Sequence, residues 1–187
     1  MANKDSAFGL RPIGKVGQNR DNQGLSEYDI AASASAIFQN DPVEMAATGT
    51  ITVAAATDTL LGSLTGVFFT DASTSNPTFA NPLKASNTAT DIKGFVSDDP
   101  YERFEIQSDD ATAAADVGLN ADIVYASGAS PNFVSKVELD HSDLKTATAQ
   151  LRVLAISKDI ENNEAGSANV NLVVMINEHF LKGTTGI

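Results

Sequence analysis

Turn-forming residues interrupt this chain so often that no long amphipathic helix fits between them. Asn40-Asp41-Pro42, Gly62 and Gly66, the Ser/Thr/Asn/Pro-rich residues 71–85, Asp98-Asp99-Pro100 and residues 127–132 all separate short runs of β-branched and aromatic side chains. Such punctuation predicts many short strands joined by loops. The clearest run is 169–180. There Val170, Leu172, Val174, Ile176 and Phe180 share one face of an extended chain, with Asn169, Asn171, Asn177 and His179 opposite. Residues 150–157 form an equally strong strand, and the polar residues 159–167 join the two as a hairpin. The expected fold class is all-β: an antiparallel β-sandwich, jelly-roll or barrel-like domain.

Weaker alternation extends this pattern along the chain. Strands are expected over 26–32, 43–45, 50–54, 92–96 and 122–125. Residues 60–70 read as a strand bent or bulged at Gly62 and Gly66, because a membrane-type GxxxG helix needs a longer apolar run. Residues 71–85 read as a surface loop. Phe104 and Ile106 alternate with Arg103, Glu105 and Gln107 in another strand, and Asp98-Asp99-Pro100 turns into it as a hairpin or β-corner. Residues 109–116 suit a helical turn or two, and 134–139 suit either a strand or a short helix. No internal repeat is present. Residues 1–25, with Gly9, Gly14, Gly17 and Gly24 and few large apolar side chains, are expected to be an extended N-terminal arm. Phe8, Leu10, Pro12, Ile13 and Val16 suit an arm that docks on something. Residues 26–187 are then a single β-rich domain.

Composition narrows the chemistry. With 187 residues, 42% of them hydrophobic, the chain can bury a core. Its 24 acidic and 12 basic residues leave a net charge of −12, which repels nucleic acid. There is no cysteine, so disulfides, thiolate metal sites and cysteine nucleophiles are excluded. Tryptophan is absent, and His141 and His179 are the two histidines. No apolar run is long enough for a membrane helix. The polar start Met1-Ala2-Asn3-Lys4-Asp5 leads into no apolar segment of the signal-peptide type, so synthesis in a cytoplasm without a secretory signal is expected.

The motifs that hint at catalysis lack their context. Gly9-Leu10-Arg11-Pro12-Ile13-Gly14-Lys15 fits GxxxxGK, but Val16 stands where a P-loop needs a hydroxyl for magnesium, and neither a buried strand before it nor a helix after it is indicated. Ser142-Asp143-Leu144-Lys145 fits SxxK without the SDN and KTG partners of penicillin-recognising enzymes. Residues 19–24 echo an EF-hand loop whose twelfth position is Ile30 instead of a bidentate Glu. The acidic residues 159–164 lack ordered calcium-ligand spacing and read as a solvated hairpin loop. The two histidines are too far apart for a local metal motif, and each reads as a surface or edge-strand residue. Asp98-Asp99 reads as a turn whose carboxylates accept backbone N–H groups, because adjacent aspartates point in different directions. Catalytic, cofactor-binding and metal-binding residues are therefore all expected to be none.

Three segments carry a resemblance: Ala7-Phe8-Gly9-Leu10-Arg11-Pro12-Ile13-Gly14, then Asp98-Asp99-Pro100 with Phe104-Glu105-Ile106-Gln107, and Val173-Val174-Met175-Ile176-Asn177-Glu178-His179-Phe180. In order and spacing they resemble small virion structural proteins of tailed bacteriophages of marine and cyanobacterial hosts. The resemblance implies a non-enzymatic protein that decorates the outside of the capsid as a cement protein. It implies a virion location after synthesis in the host cytoplasm, a homotrimer, and the major capsid protein as partner, with no nucleic acid, membrane, small-molecule substrate or cofactor. Phe8, Leu10, Arg11, Pro12 and Ile13 are the expected capsid-contacting arm, adding a strand to a neighbour's sheet edge. Other virion roles, such as a head-fibre or tail-associated protein, are the alternative, and a glycan-binding β protein is a more distant one.

Overall fold

A computed structural model describes residues 2–17 and 24–183. It is mainly β, with 38% of residues in strands and 5% in helical turns, and the strands of its sheets pair antiparallel in a sandwich-like arrangement.

Thirteen strands are present among the described residues: β1 (Arg11–Lys15), β2 (Ser26–Asp29), β3 (Pro42–Met45), β4 (Ile51–Val53), β5 (Leu60–Thr70), β6 (Pro77–Ala80), β7 (Lys93–Ser97), β8 (Glu102–Gln107), β9 (Asn120–Ala121), β10 (Ile123–Val124), β11 (Glu138–Leu139), β12 (Leu151–Ile156) and β13 (Asn171–Ile176). One sheet runs β1-β8-β13-β12-β9. The other runs β2-β7-β5-β3-β4, with β6 also paired to β5, and β10 and β11 form a separate two-stranded ladder.

Each large sheet has its own apolar core. In the first, Phe104, Ile106, Leu151, Val153, Leu172, Val174 and Ile176 pack with Leu10, Leu60, Val137 and Leu139. In the second, Leu61, Leu64, Val67 and Val96 pack with Ile30, Ile37, Val43, Leu83 and Ile92. Every fully buried aliphatic side chain here contributes about 1.5–3 kcal/mol by leaving water. β5 links the two cores, because side chains alternate across a strand: Leu60 enters the first and Leu61 the second.

β5 is eleven residues long and spans the expected strand, with its irregularities near both glycines. Its register with β7 slips between Leu64 and Gly66. Its register with β3 slips opposite Gly62. At Gly62 a Cβ would lie 2.2 Å from the Ser97 carbonyl oxygen, so the two backbones approach too closely for any side chain.

The structure corrects or settles several expectations. Residues 71–85 are not wholly a loop: β6 lies within them, and Phe79 pairs with Phe68 across the ladder, ring centroids 4.8 Å apart. The Asp98-Asp99-Pro100 turn is a corner and not a hairpin, because β7 lies in one sheet and β8 in the other. The ambiguous 134–139 stretch ends in the short strand β11. The polar face expected over 169–180 is not wholly solvent-exposed: Asn171 at the start of β13 and His179, three residues past its end, are 3% and 2% exposed.

Candidate interaction surface

The segments that carry the resemblance are distant in sequence and adjacent in space. β1, β8 and β13 are consecutive strands of one sheet. Arg11 faces Glu105 and Pro12 faces Phe104 across β1 and β8, and Phe104 in turn faces Val174 on β13. The corner Asp98-Asp99-Pro100 caps one end of this unit.

That corner is tied from several directions. Asp98 accepts from the Ser26 hydroxyl at 2.9 Å and from the Tyr28 hydroxyl at 2.6 Å, joining it to β2. Burial and the Asp98 carboxylate push the Tyr28 phenol well above its usual range. Asp99 accepts from the Tyr101 backbone N–H and pairs with Lys15 of β1 at 2.6 Å. The lysine holds the Asp99 carboxyl below its ordinary value. Asp99 thus does what an aspartate before a turn is expected to do, whereas Asp98 bonds side chains of another strand.

His179 sits behind this corner. It is buried and caps the turn Phe180–Lys182, which corrects the expectation of a surface or edge-strand residue. Its Nδ1 accepts from the Leu181 N–H at 3.1 Å. Desolvation lowers its pKa to about 4, so the ring is neutral at pH 7.

The expected arm residues are placed as follows. Leu10 is fully buried in the first core, its N–H bonded to the Asn40 carbonyl and its carbonyl to the Ser63 hydroxyl. It therefore contacts this chain and cannot be a partner-facing residue in this conformation. Arg11 is exposed, ion-paired with Glu105 and stacked 4.5 Å over the half-buried Phe8 ring. Pro12 is half-buried. Ile13 is 45% exposed and sits at a β-bulge between Pro12 and Gly14. Residues 11–15 do add a strand to a sheet edge, but the edge is that of β8 in the same chain. The outer edge of β1 is itself blunted, since Pro12 lacks an N–H and the bulge breaks the strand's regularity.

Gly9 precedes this strand at φ +75°, and a Cβ there would lie 2.3 Å from the Ser135 Cβ and 2.4 Å from the Asn40 carbonyl oxygen. Beside it, Asp41 is buried with one carboxylate oxygen accepting from the Phe38 N–H at 2.7 Å. Desolvation pushes its pKa up to about 6.

Around the corner lies an apolar rim. Tyr101 is 60% exposed, with the Lys182 ammonium 4.9 Å from its ring centroid. The Val16 N–H bonds the Tyr101 carbonyl, and Val16 and Leu181 are both exposed. Ile13 and Leu25, also exposed, line an adjacent groove of about 450 Å³ with Lys15, Asp99 and Glu102. Single exposed apolar residues are common on any protein; a run of them beside one corner makes that corner the candidate interaction surface. Sequence reasoning found Ile13 and Val16; it missed Leu25, Tyr101 and Leu181, which only the fold brings beside them.

The other motifs resolve into structural roles. Lys15 of the GxxxxGK match lies in β1 and pairs with Asp99. Lys145 of the SxxK match bonds Asp143 at 2.8 Å, and Ser142 donates to Asp140 at 2.6 Å. Asp159 accepts from the Asn171 amide. No group of three or more His, Asp or Glu side chains suited to a metal ion occurs among the described residues. Residues 19–23 of the EF-hand echo lie outside the described residues. No known family model, curated protein or solved structure matches this chain.

Proposed function

We propose that this protein is a non-enzymatic virion component that decorates and stabilises the outside of a phage capsid, as a homotrimer bound to the major capsid protein. The observation that carries the reading is the convergence of the three resembling segments. They form one continuous unit, β1-β8-β13 with its corner, and an exposed apolar rim surrounds that corner. An acidic surface keeps such a chain soluble at high copy number, and apolar groups at the rim supply an interface. A protein that binds only the expanded shell stabilises that shell by linkage.

The rim, more than the expected arm, is then the contact surface: Ile13 and Val16 from the N-terminal segment, with Leu25, Tyr101 and Leu181. Leu10 belongs to the core, so deleting residues 1–25 would remove a strand and a core side chain together. Surface substitutions are the informative variants. Purified protein is mixed with expanded shells that lack it, the shells are pelleted, and copies per shell are counted. Binding saturates at a symmetric copy number, and Val16→Asp with Leu181→Asp weakens it at least about tenfold, or 1.4 kcal/mol. Ile160→Asp, on the exposed loop at the other end of the β12–β13 hairpin, leaves it unchanged. Absence of shell binding by a folded, soluble oligomer overturns the cement reading and points to tail or fibre partners.

A further inference from the structure

Residues 2–7 bury no side chain, yet they are held in place. What holds them is a set of three buried carboxamides: Gln107 on β8, Asn171 on β13, and Asn162 in the loop between β12 and β13, each 5% exposed or less. The Asn162 amide grips the backbone of Lys4 at both of its polar groups. Its oxygen accepts from the Lys4 N–H at 2.9 Å, and its Nδ2 donates to the Lys4 carbonyl at 2.8 Å. The Gln107 amide takes the next positions along the same edge. Its Nε2 donates to the Lys4 carbonyl at 3.1 Å, and its oxygen accepts from the Ser6 N–H at 2.9 Å. Asn171 orients both, because its Oδ1 accepts from Gln107 at 3.2 Å and from Asn162 at 3.4 Å. At the outer end, the Asn3 side chain bonds the backbone N–H and carbonyl of Glu164.

This arrangement has the donor and acceptor pattern of a β-strand edge, built from side chains. It reads residues 4 and 6, alternate positions of an extended chain, through their backbone alone, while the side chains of Lys4, Asp5 and Ser6 point to solvent. A site that recognises backbone does not distinguish its own segment from the same segment of another molecule. The segment also leaves at little cost. None of its own side chains is buried, and the firm anchor begins only at Phe8, whose carbonyl bonds the Asn40 amide at 3.1 Å, and Leu10 in the core. Six residues in extended form reach about 20 Å from that anchor.

We propose that the Gln107–Asn162–Asn171 clamp is a strand-acceptor site for the N-terminal segment of a second copy of this chain. It is filled by the chain's own segment while copies are dilute and by a neighbour's once they stand side by side. A short tether gives the chain's own segment an effective concentration of about millimolar. Exchange therefore needs copies held at that local density. The proposed capsid decoration would supply it, and to that extent the inference rests on that reading. Exchange would link neighbouring copies without any new kind of contact.

The absence of cysteine makes the test clean. Asn3→Cys and Glu164→Cys are made in the full chain, singly and together, and oxidised across a range of protein concentrations. On non-reducing gels the double variant closes within one chain at micromolar concentration. A mixture of the two single variants can join position 3 to position 164 only between chains. This heterodimer, identified by peptide mapping, rises at least tenfold as concentration approaches millimolar. Lys4→Pro and Ser6→Pro remove the N–H groups that Asn162 and Gln107 accept and cut both cross-links at least tenfold; Lys4→Ala and Ser6→Ala change them less than twofold. If the double variant closes but the mixture never cross-links, the segment serves its own chain alone and the proposal falls. If the double variant fails to close, the docked segment itself is wrong and the proposal falls with it. Because none of these readouts uses capsids, the shell-pelleting experiment succeeds or fails separately.

Discussion

Two buried titratable residues, Asp41 and His179, have opposite pH responses. Asp41 has its pKa raised to about 6 by burial. The folded state therefore binds its proton more tightly than the unfolded chain, and this residue's contribution to stability declines as pH rises from about 4 to 6. His179 has its pKa lowered to about 4. There the unfolded chain binds the proton more tightly, and stability is lost as pH falls from about 6.5 to 4. Each shift corresponds to about 3 kcal/mol, so the two largely offset in the same window. Asp41→Asn should gain stability relative to the parent as pH is raised from 4 to 7. His179→Gln should gain relative to the parent as pH is lowered across that range. Urea unfolding at several pH values measures both differences, and flat differences would mean that neither group is perturbed as described.

At the scale of elements, β1 is the most instructive strand. Its residues read in sequence as part of an extended arm that docks on a partner, because a short segment with Gly9, Gly14 and Pro12 has no core-forming periodicity. In the structure Leu10 and β1 complete the first core and its sheet. Leu10→Ala should cost about 2–5 kcal/mol in chemical denaturation, as for any fully buried leucine. Ile13→Ala should cost under about 0.5 kcal/mol, since Ile13 is exposed. Equal effects would place both residues on the surface or both in the core. β8 and β13 were legible because large apolar residues alternate with polar ones, and β5, β7 and β12 because short apolar runs are bounded or bent by turn-forming residues. β6 was not, because Pro77-Thr78-Phe79-Ala80 has the composition of a loop and becomes a strand only through pairing with β5.

For the whole molecule, the net charge of −12 is a fixed cost of compaction, since like charges are brought closer on folding. Salt between about 0.01 and 0.15 M shortens the screening length from about 30 to 8 Å. The thermal midpoint should therefore rise over that range. A fall would show that specific ion pairs such as Lys15–Asp99 and Lys93–Asp29 outweigh the general repulsion. The same surface charge limits close approach of copies in dilute solution. The proposed association therefore draws on local apolar contact, at the corner rim, and on backbone pairing, at the carboxamide clamp.

The sequence by itself determined the class of fold, the main strands, the bends in β5 and the exclusion of cysteine chemistry, because alternation, turn residues and composition are local properties. Only the tertiary structure decided that Leu10 is core, that residues 98–100 cross between sheets, that His179 is buried, and that Tyr101, Leu181, Val16, Ile13 and Leu25 lie around one corner. It also decided that Gln107, Asn162 and Asn171 meet around the backbone of Lys4. Gln107 and Asn162 meet Lys4 across 103 and 158 positions of sequence. Nothing local in the chain records such encounters, because an amide or an exposed aliphatic side chain acquires its role only from what the sheets bring beside it.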